Sequence, residues 1–259
     1  FTYEIRCTRV EPMKRGSMVA DSNTLDDNLI GLEQTLRHTA LFEHVPLEDA
    51  RQMLPYLEHR TYAKGEYIFH EGNEDTNMYI IERGRIKLTR ESYDHRVQLL
   101  SISGAGEIAG EIPVFDPQGG PRTASAVSMV NSTTTLSLTS HVLFSWLDEH
   151  PRVAVNMLQV LARRMRMNNE RISDLVFMDV PARLSKTLID LAKRFGEPGV
   201  QGLVVPHDLT QEELAQLVGT SRETVNKALM DFTNRGWIAR EGRTIIIYQP
   251  GNLILRARH

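Results

Sequence analysis

The sequence predicts an α+β fold in three parts: a small jelly-roll-like β-roll, a long helix and a winged helix-turn-helix. Three observations predict it. Between Tyr62 and about Leu138, short β-rich runs alternate with glycine turns. From Pro151 to about Phe177, apolar residues keep helical spacing without a break. At Thr210–Met230, two short amphipathic helices meet at a glycine, and two β-rich runs follow.

Residues 1–17 fit nothing that follows, and Gly16-Ser17-Met18 reads as the end of a tag or leader. Residues 25–58 have helical periodicity, broken near Pro46 and Pro55. The expected strands are Tyr67–Phe69, Met78–Ile81, Arg85–Leu88, Val97–Ile102 and Thr133–Leu138, with turns at Gly72, Gly84 and Gly104–Gly106. Many short strands at this spacing form a small barrel or roll.

Within the roll lies GEIAGEIPVFDPQGGPRTASAV, residues 106–127. Gly110 lets the backbone approach a ligand, and the N–H groups of the turn after it can cradle a phosphate. Arg122 offers a forked donor set to an anion, Thr123 a hydroxyl, and Glu111 an acceptor for a ribose hydroxyl. The same residues also suit a buried Arg–Glu pair beside an ordinary loop.

In the long helix, Leu158, Leu161, Met165, Asn168, Ile172 and Leu175 step by three and four, a heptad seam. Arg163, Arg164, Arg166 and Arg171 make the other faces polar. The expectation is a parallel homodimer about this helix; the alternative is a helix packed on its own domain. Asn168 either fixes coiled-coil register or, with Asn169, hydrogen-bonds a base. MDVPAR follows, with Asp179 and Pro181 suited to the end of one helix and the start of the next. Helical periodicity resumes over Leu184–Phe195, and Gly196–Gly202 reads as a loop.

Thr210 and Glu213 have capping-box spacing, so a helix opens near Gln211. Leu214, Leu217 and Val218 give it an apolar face. Gly219 sits at the reversal, and Thr220 with Glu223 repeats the capping spacing for a second helix. Val225, Leu229 and Phe232 face the core, while Arg222, Glu223, Asn226 and Lys227 share the opposite face. Arginine can bond guanine O6 and N7, glutamate can accept from cytosine N4, and asparagine and lysine add contacts. Trp237, Ile238 and Thr244–Tyr248 form a wing around Glu241–Arg243. Arg240 and Arg243 there either touch phosphates or decorate a solvated turn.

The totals agree and exclude other classes. The chain has 259 residues, 41% of them hydrophobic, enough for two packed domains. Its net charge of −3 divides unevenly: residues 182–259 carry 11 Lys and Arg against 8 Asp and Glu. A mildly basic C-terminal part suits phosphate contact. A single cysteine, Cys7, excludes a disulfide scaffold and a cysteine-held iron–sulfur cluster within one chain. No apolar run spans a membrane and no secretory signal is present, which points to the cytoplasm. His141, Ser145 and Asp148 do not make a nucleophile triad, so no catalytic residue and no metal site is expected.

The string VGTSRETVNKAL with its wing closely resembles the C-terminal domain of the cAMP receptor protein/FNR (CRP/FNR) family of bacterial transcription factors. The resemblance covers roughly residues 40–250 and is nearest to the cAMP receptor branch. Gly110-Glu111, a variable loop and Arg122-Thr123-Ala124 resemble the phosphate-binding cassette of cyclic-nucleotide-binding domains. The resemblance implies a cAMP site in which Gly110 and Glu111 hold the ribose and phosphate region. Arg122 and Thr123 would take the phosphate, Ile112 and Ala124 line the pocket, and Asn168 and Asn169 meet the base. It implies DNA contact through Thr210, Gln211, Ser221, Arg222, Glu223, Thr224, Asn226 and Lys227. Lys227 stands where the best-known members have an arginine with a planar, two-pronged contact. His95 stands where many members have glycine. The implied partners are double-stranded DNA, a second copy of the chain through the 151–178 helix, and RNA polymerase. The expected domains are residues 18–150, a dimerisation helix 151–178, a hinge 179–182 and a DNA-binding domain 183–259. One alternative keeps this fold but binds DNA without ligand or with another small molecule. A second, a nucleotide-binding module attached to an enzyme, leaves no part of the chain for a catalytic domain.

Overall fold

The computed structural model describes residues 39, 42–43, 45–116 and 120–258. The reading of residues 1–17 as a tag or leader lies outside them. The chain forms two compact units: residues 1–86 with 102–163, and residues 87–101 with 164–259.

The first unit opens with α1 (Leu47–Met53) and a 3-10 turn at Leu54–Tyr56, where Pro55 sits. The strands are β1 (Glu58–Tyr62), β2 (Tyr67–Phe69), β3 (Asn77–Arg83), β4 (Arg85–Glu91), β5 (Val97–Gly104) and β6 (Ile108–Ala109). After α2 (Ile112–Phe115) come β7 (Ser125–Ser128) and β8 (Thr133–Thr139). They make two four-stranded sheets, ordered β1-β8-β3-β6 and β2-β7-β4-β5. In the first sheet Ile80 lies opposite Leu136 and Met78 opposite Leu138. These four side chains are buried.

Two further helices complete the core. Thr139 caps α3 (Ser140–Glu149) by accepting from the Val142 N–H. The long helix α4 runs Pro151–Phe177, with its proline at the first position, where no N–H is missed. Leu143 and Trp146 of α3 and Val153 and Met157 of α4 join Phe42, Met53, Ile80 and Leu136 in one cluster.

Along α4, Leu158, Met165, Ile172 and Leu175 are each more than half exposed. The helix therefore carries an apolar seam that is exposed among the described residues.

The second unit begins beyond it. Asp179 caps α5 (Val180–Phe195), accepting from the Ala182 N–H at 2.9 Å, and its other oxygen pairs with Arg256. Residues 180–182 are thus the first turn of α5. The expected loop at Gly196–Gly202 is instead a tight hairpin between β9 (Glu197–Pro198) and β10 (Leu203–Pro206). Then come α6 (Gln211–Val218), α7 (Arg222–Asn234), β11 (Ile238–Glu241), β12 (Thr244–Ile247) and α8 (Pro250–Arg256). The sheet order is β11-β12-β10-β9, and the β11–β12 hairpin is the wing.

Thr210 and Glu213 form a complete capping box on α6. Gly219 ends that helix in the left-handed region, φ +74°, and an added Cβ would lie 2.5 Å from Leu175. The cap of α7 is Ser221, which accepts from the Thr224 N–H; Thr220 is a connecting residue. The second capping pair expected at Thr220 and Glu223 is therefore displaced by one position. Val225, Leu229 and Phe232 are buried as their spacing predicts.

Arg183 binds three carbonyls: Met178 at 2.7 Å, Val218 at 2.9 Å and Gly219 at 3.0 Å. It satisfies C-terminal groups that a helix cannot pair internally.

Residues 87–101, most of β4 and β5 with the hairpin between them, group with this second unit and not with the rest of the roll. The amide of Gln216 donates to Val97 O at 3.0 Å and accepts from Leu99 N at 2.8 Å. It thereby pairs the free edge of β5, as an added strand would. Lys87 bonds Glu213 at 2.6 Å. At the hairpin tip His95 takes φ +61°, a conformation in which glycine would be unstrained.

Candidate functional site

The first candidate site is built around Arg122, whose side chain is almost wholly buried. Its Nε donates to Asp75 Oδ2 at 3.0 Å, and Nη2 reaches Asp75 Oδ1 and Asn77 O, the latter at 2.7 Å. The ring of Phe69 lies under the guanidinium, 4.0 Å from its carbon, and Tyr79 at 5.4 Å. One edge of the arginine is thus paired by a carboxylate and supported by two aromatic rings.

The remaining nitrogen, Nη1, makes one long bond, 3.3 Å to Gly110 O. Gly110 has φ +77°, and an added Cβ would stand 2.5 Å from Nη1 and 3.1 Å from Asn77 O. Only glycine lets the chain pass this close to the guanidinium. Glu111 caps α2 without a side-chain bond to it and is largely buried. The first-turn N–H groups of a helix have no internal acceptor.

Ala124 is buried, Ile112 is half exposed and Thr123 is exposed. Residues 117–119 of the variable loop lie outside the described residues. Arg122 therefore does have an acidic partner, the half-buried Asp75. The Arg122 bonds, first of all, hold the Asp75 carboxyl below its ordinary value of 3.8, against the opposing effect of burial.

Asn168 and Asn169 of α4 are both exposed, on the same stretch as the apolar seam. They belong to the second unit, Arg122 to the first.

The second candidate site is the outer face of α7. Ser221, Arg222, Glu223 and Lys227 are exposed; Thr224 and Asn226 are half-buried. Thr210 is exposed at the head of α6, and Gln211 beside it reaches α7. All eight expected contact residues thus sit at the two helix starts or on the free face of α7. On the wing Arg240 and Arg243 are both exposed, and Arg243 also bonds Asp208 O at 3.4 Å.

Sequence reasoning missed Asp75, Asn77, Phe69 and Tyr79. An aromatic at the end of β2 and another in β3 are visible as strand residues. Nothing local marks Asp75, which is 47 positions from its partner.

Comparison with known proteins matches both parts of the chain. The family profile described as "Cyclic nucleotide-binding domain" matches residues 59–150, and "Crp-like helix-turn-helix domain" matches residues 182–255. Together these define a DNA-binding transcription regulator with a cyclic-nucleotide-binding domain.

A Mycobacterium tuberculosis protein named "CRP-like cAMP-activated global transcriptional regulator" is 41% identical over 227 residues, 88% of this chain and 100% of that one. A Thermus thermophilus "Cyclic AMP receptor protein" is 31% identical over 201 residues, 78% of this chain and 88% of its own length. A solved structure of a CooA mutant from Carboxydothermus hydrogenoformans has a TM-score of 0.65 at 25% identity, covering 80% of this chain and 90% of that one.

The chain belongs to the CRP/FNR family, whose members are transcription regulators and not enzymes. Among the described residues no helix is long and apolar enough to cross a membrane.

Proposed function

We propose that this chain is a cAMP-responsive regulator that acts in the cytoplasm as a homodimer on palindromic DNA. The observation that carries the ligand reading is the half-committed guanidinium of Arg122. Asp75 fixes one edge, while Nη1, packed close against Gly110, has only a long bond to Gly110 O. A cyclic phosphate docks on Nη1, the Gly110–Glu111 turn and the Thr123 hydroxyl, with Ile112 and Ala124 against the sugar. The name of the 41% identical relative supports cAMP as the nucleotide. The base meets Asn168 and Asn169 on α4.

The exposed seam of Leu158, Met165, Ile172 and Leu175 supports a dimer about that helix. Two recognition helices then stand about 34 Å apart and read successive major grooves. Thr210, Gln211, Ser221 and Thr224 anchor the backbone, and Arg222, Glu223 and Lys227 face the bases. The functional domains in this reading are residues 18–150, 151–178, 179–182 and 183–259. Ligand acts only through its differential affinity for two arrangements of the hinge at Asp179–Pro181. RNA polymerase is the partner through which bound dimers act on transcription.

A second reading, DNA binding without ligand, has one observation in its favour. Asp75 already neutralises Arg122, so the cradle is electrically complete by itself.

Calorimetric titration with cAMP and cGMP, beside light scattering and DNA binding at each ligand concentration, tests the proposal. The expected result is a dimer that binds cAMP more tightly than cGMP and then binds DNA. A monomer at all concentrations, or full DNA affinity with no heat from either nucleotide, overturns it.

A further inference from the structure

The free face of α7 holds a contact that its role in base reading does not explain. The Oε1 atom of Gln211, the first residue of α6, accepts from Asn226 Nδ2 at 2.9 Å and from Arg222 Nε at 3.4 Å. Arg222 and Asn226 are one turn apart on α7, so both lie within reach of one residue from α6. We propose that Gln211 and Asn226 form an amide bracket that aims Arg222, and that Asn226 is a positioning residue and not a base reader. This rests on the reading of α7 as the recognition helix.

The orientation of both amides follows from hydrogen-bond chemistry. A guanidinium only donates, so Gln211 must turn its oxygen toward Arg222. The same oxygen then requires the NH2 group of Asn226, which fixes an amide direction that is otherwise an assignment. The remaining Asn226 atom, Oδ1, is buried and has no hydrogen-bond partner among the described residues. An asparagine that reads adenine needs both its oxygen and its NH2 group on the base edge. Here one is committed to Gln211 and the other faces inward. Asn226 cannot make that paired contact without breaking the bracket.

The bracket has a consequence for Arg222. With Nε taken, its two terminal nitrogens remain as the outward pair that can meet guanine O6 and N7. An arginine held in this way loses less freedom when it binds. The 2.9 Å arm to Asn226 is within the usual range, and the 3.4 Å arm to Arg222 is longer than it. Gln211 is thus held mainly by Asn226 and in turn steers Arg222. Removing either amide should loosen the same base contact.

The test uses the full chain and duplex sites that the unaltered protein selects from a random pool. Base preference at each position is then measured for Arg222→Ala, Asn226→Ala, Gln211→Met and Gln211→Glu. Arg222→Ala should flatten one base pair in each half-site by about tenfold or more. Asn226→Ala and Gln211→Met should flatten that same base pair by about three- to tenfold, with the salt dependence unchanged. Gln211→Glu keeps an acceptor, so it should retain the preference at that base pair while weakening binding to every sequence. Asn226→Ala should add less than about twofold in the Arg222→Ala background, as expected for residues acting in series. Thermal melting checks that each variant folds, and Gln211→Met reports on the bracket independently of Asn226.

The bracket is overturned if Asn226→Ala flattens a base pair other than the one lost with Arg222, or if Gln211→Met leaves all preferences intact. If Arg222→Ala flattens no position at all, the recognition reading fails and the bracket fails with it.

Discussion

Two arginines, one in each compact unit, show opposite ways to place a guanidinium. Arg122 is buried, paired side-on with Asp75, tied to two carbonyls and seated on Phe69. Arg222 is exposed, with one long bond to Gln211. The first is fixed before any anion arrives, in surroundings where charge–charge attraction is strong. The second stays hydrated and is only steered. An anion site gains from such rigidity, since a phosphate needs donors already in place. A base-reading side chain must leave its donors free until the groove supplies acceptors.

Breaking the buried arginine should have the largest effect. Arg122→Ala is expected to abolish cyclic-nucleotide binding in calorimetry and to lower the melting temperature. Removing one partner of a fully buried pair costs about 3–5 kcal/mol. Asp75 keeps about a third of its side chain exposed, so a smaller loss, about 1–3 kcal/mol, is expected here. Asp75→Asn sharpens the comparison. It leaves Arg122 without its counter-charge, so the free protein should melt lower while a cyclic nucleotide raises the melting temperature by more than in the unaltered chain. An equal ligand-induced rise in both proteins argues that no anion reaches Arg122.

Gly110→Ala should come next. The left-handed backbone alone costs about 1–2 kcal/mol for a residue with a Cβ. The new methyl would also push on Nη1 from 2.5 Å. Nucleotide affinity should fall more than tenfold in calorimetry with the melting temperature lowered by a few degrees. Unchanged affinity would place the ligand elsewhere.

The two regions were unequally legible in the sequence. The exposed face of α7 was visible almost residue by residue, because a helix turns spacing directly into a shared face. Only its cap was misplaced, at Thr220 and not Ser221, since two overlapping capping patterns follow Gly219. The long helix was read to its ends for the same reason. The roll was harder. β1 is a sheet edge with four exposed residues, so it has no apolar alternation, and β6 has only two residues. β7 lies within the stretch read for its chemistry. Asp75 stayed invisible because pairing in a roll joins residues far apart in the chain, and no local pattern records that.

On the exposed side the effects should be smaller and of a different kind. Arg222→Ala is expected to cost about 1–3 kcal/mol on the preferred site and much less on other sequences. Lys227→Ala should weaken binding more evenly, because an ammonium acts as a point charge and not as a planar fork. Gel-shift series on single-base variants separate the two. A uniform loss for Arg222 would assign it to a phosphate.

The smallest effect belongs to Glu213, which joins the two styles of placement. It closes the capping box of α6 and also pairs with Lys87 of the hairpin. Burial pushes its carboxyl up, but the bonds from Lys87 and Thr210 outweigh that and hold it below its ordinary value of 4.5. A group lowered in the folded state adds stability above its ordinary value and loses it as the pH falls through the lower folded value. Lys87→Met removes the largest of the lowering causes and leaves the burial in place. The acid loss of stability should therefore be smaller in the variant: it melts slightly lower near pH 7, and the two curves converge as the pH falls. Melting curves from pH 3 to pH 7, on both proteins, measure that convergence. A difference that does not change with pH, or none at any pH, would mean that the ion pair does not hold the hairpin to α6 in solution, and that Gln216 alone makes the connection.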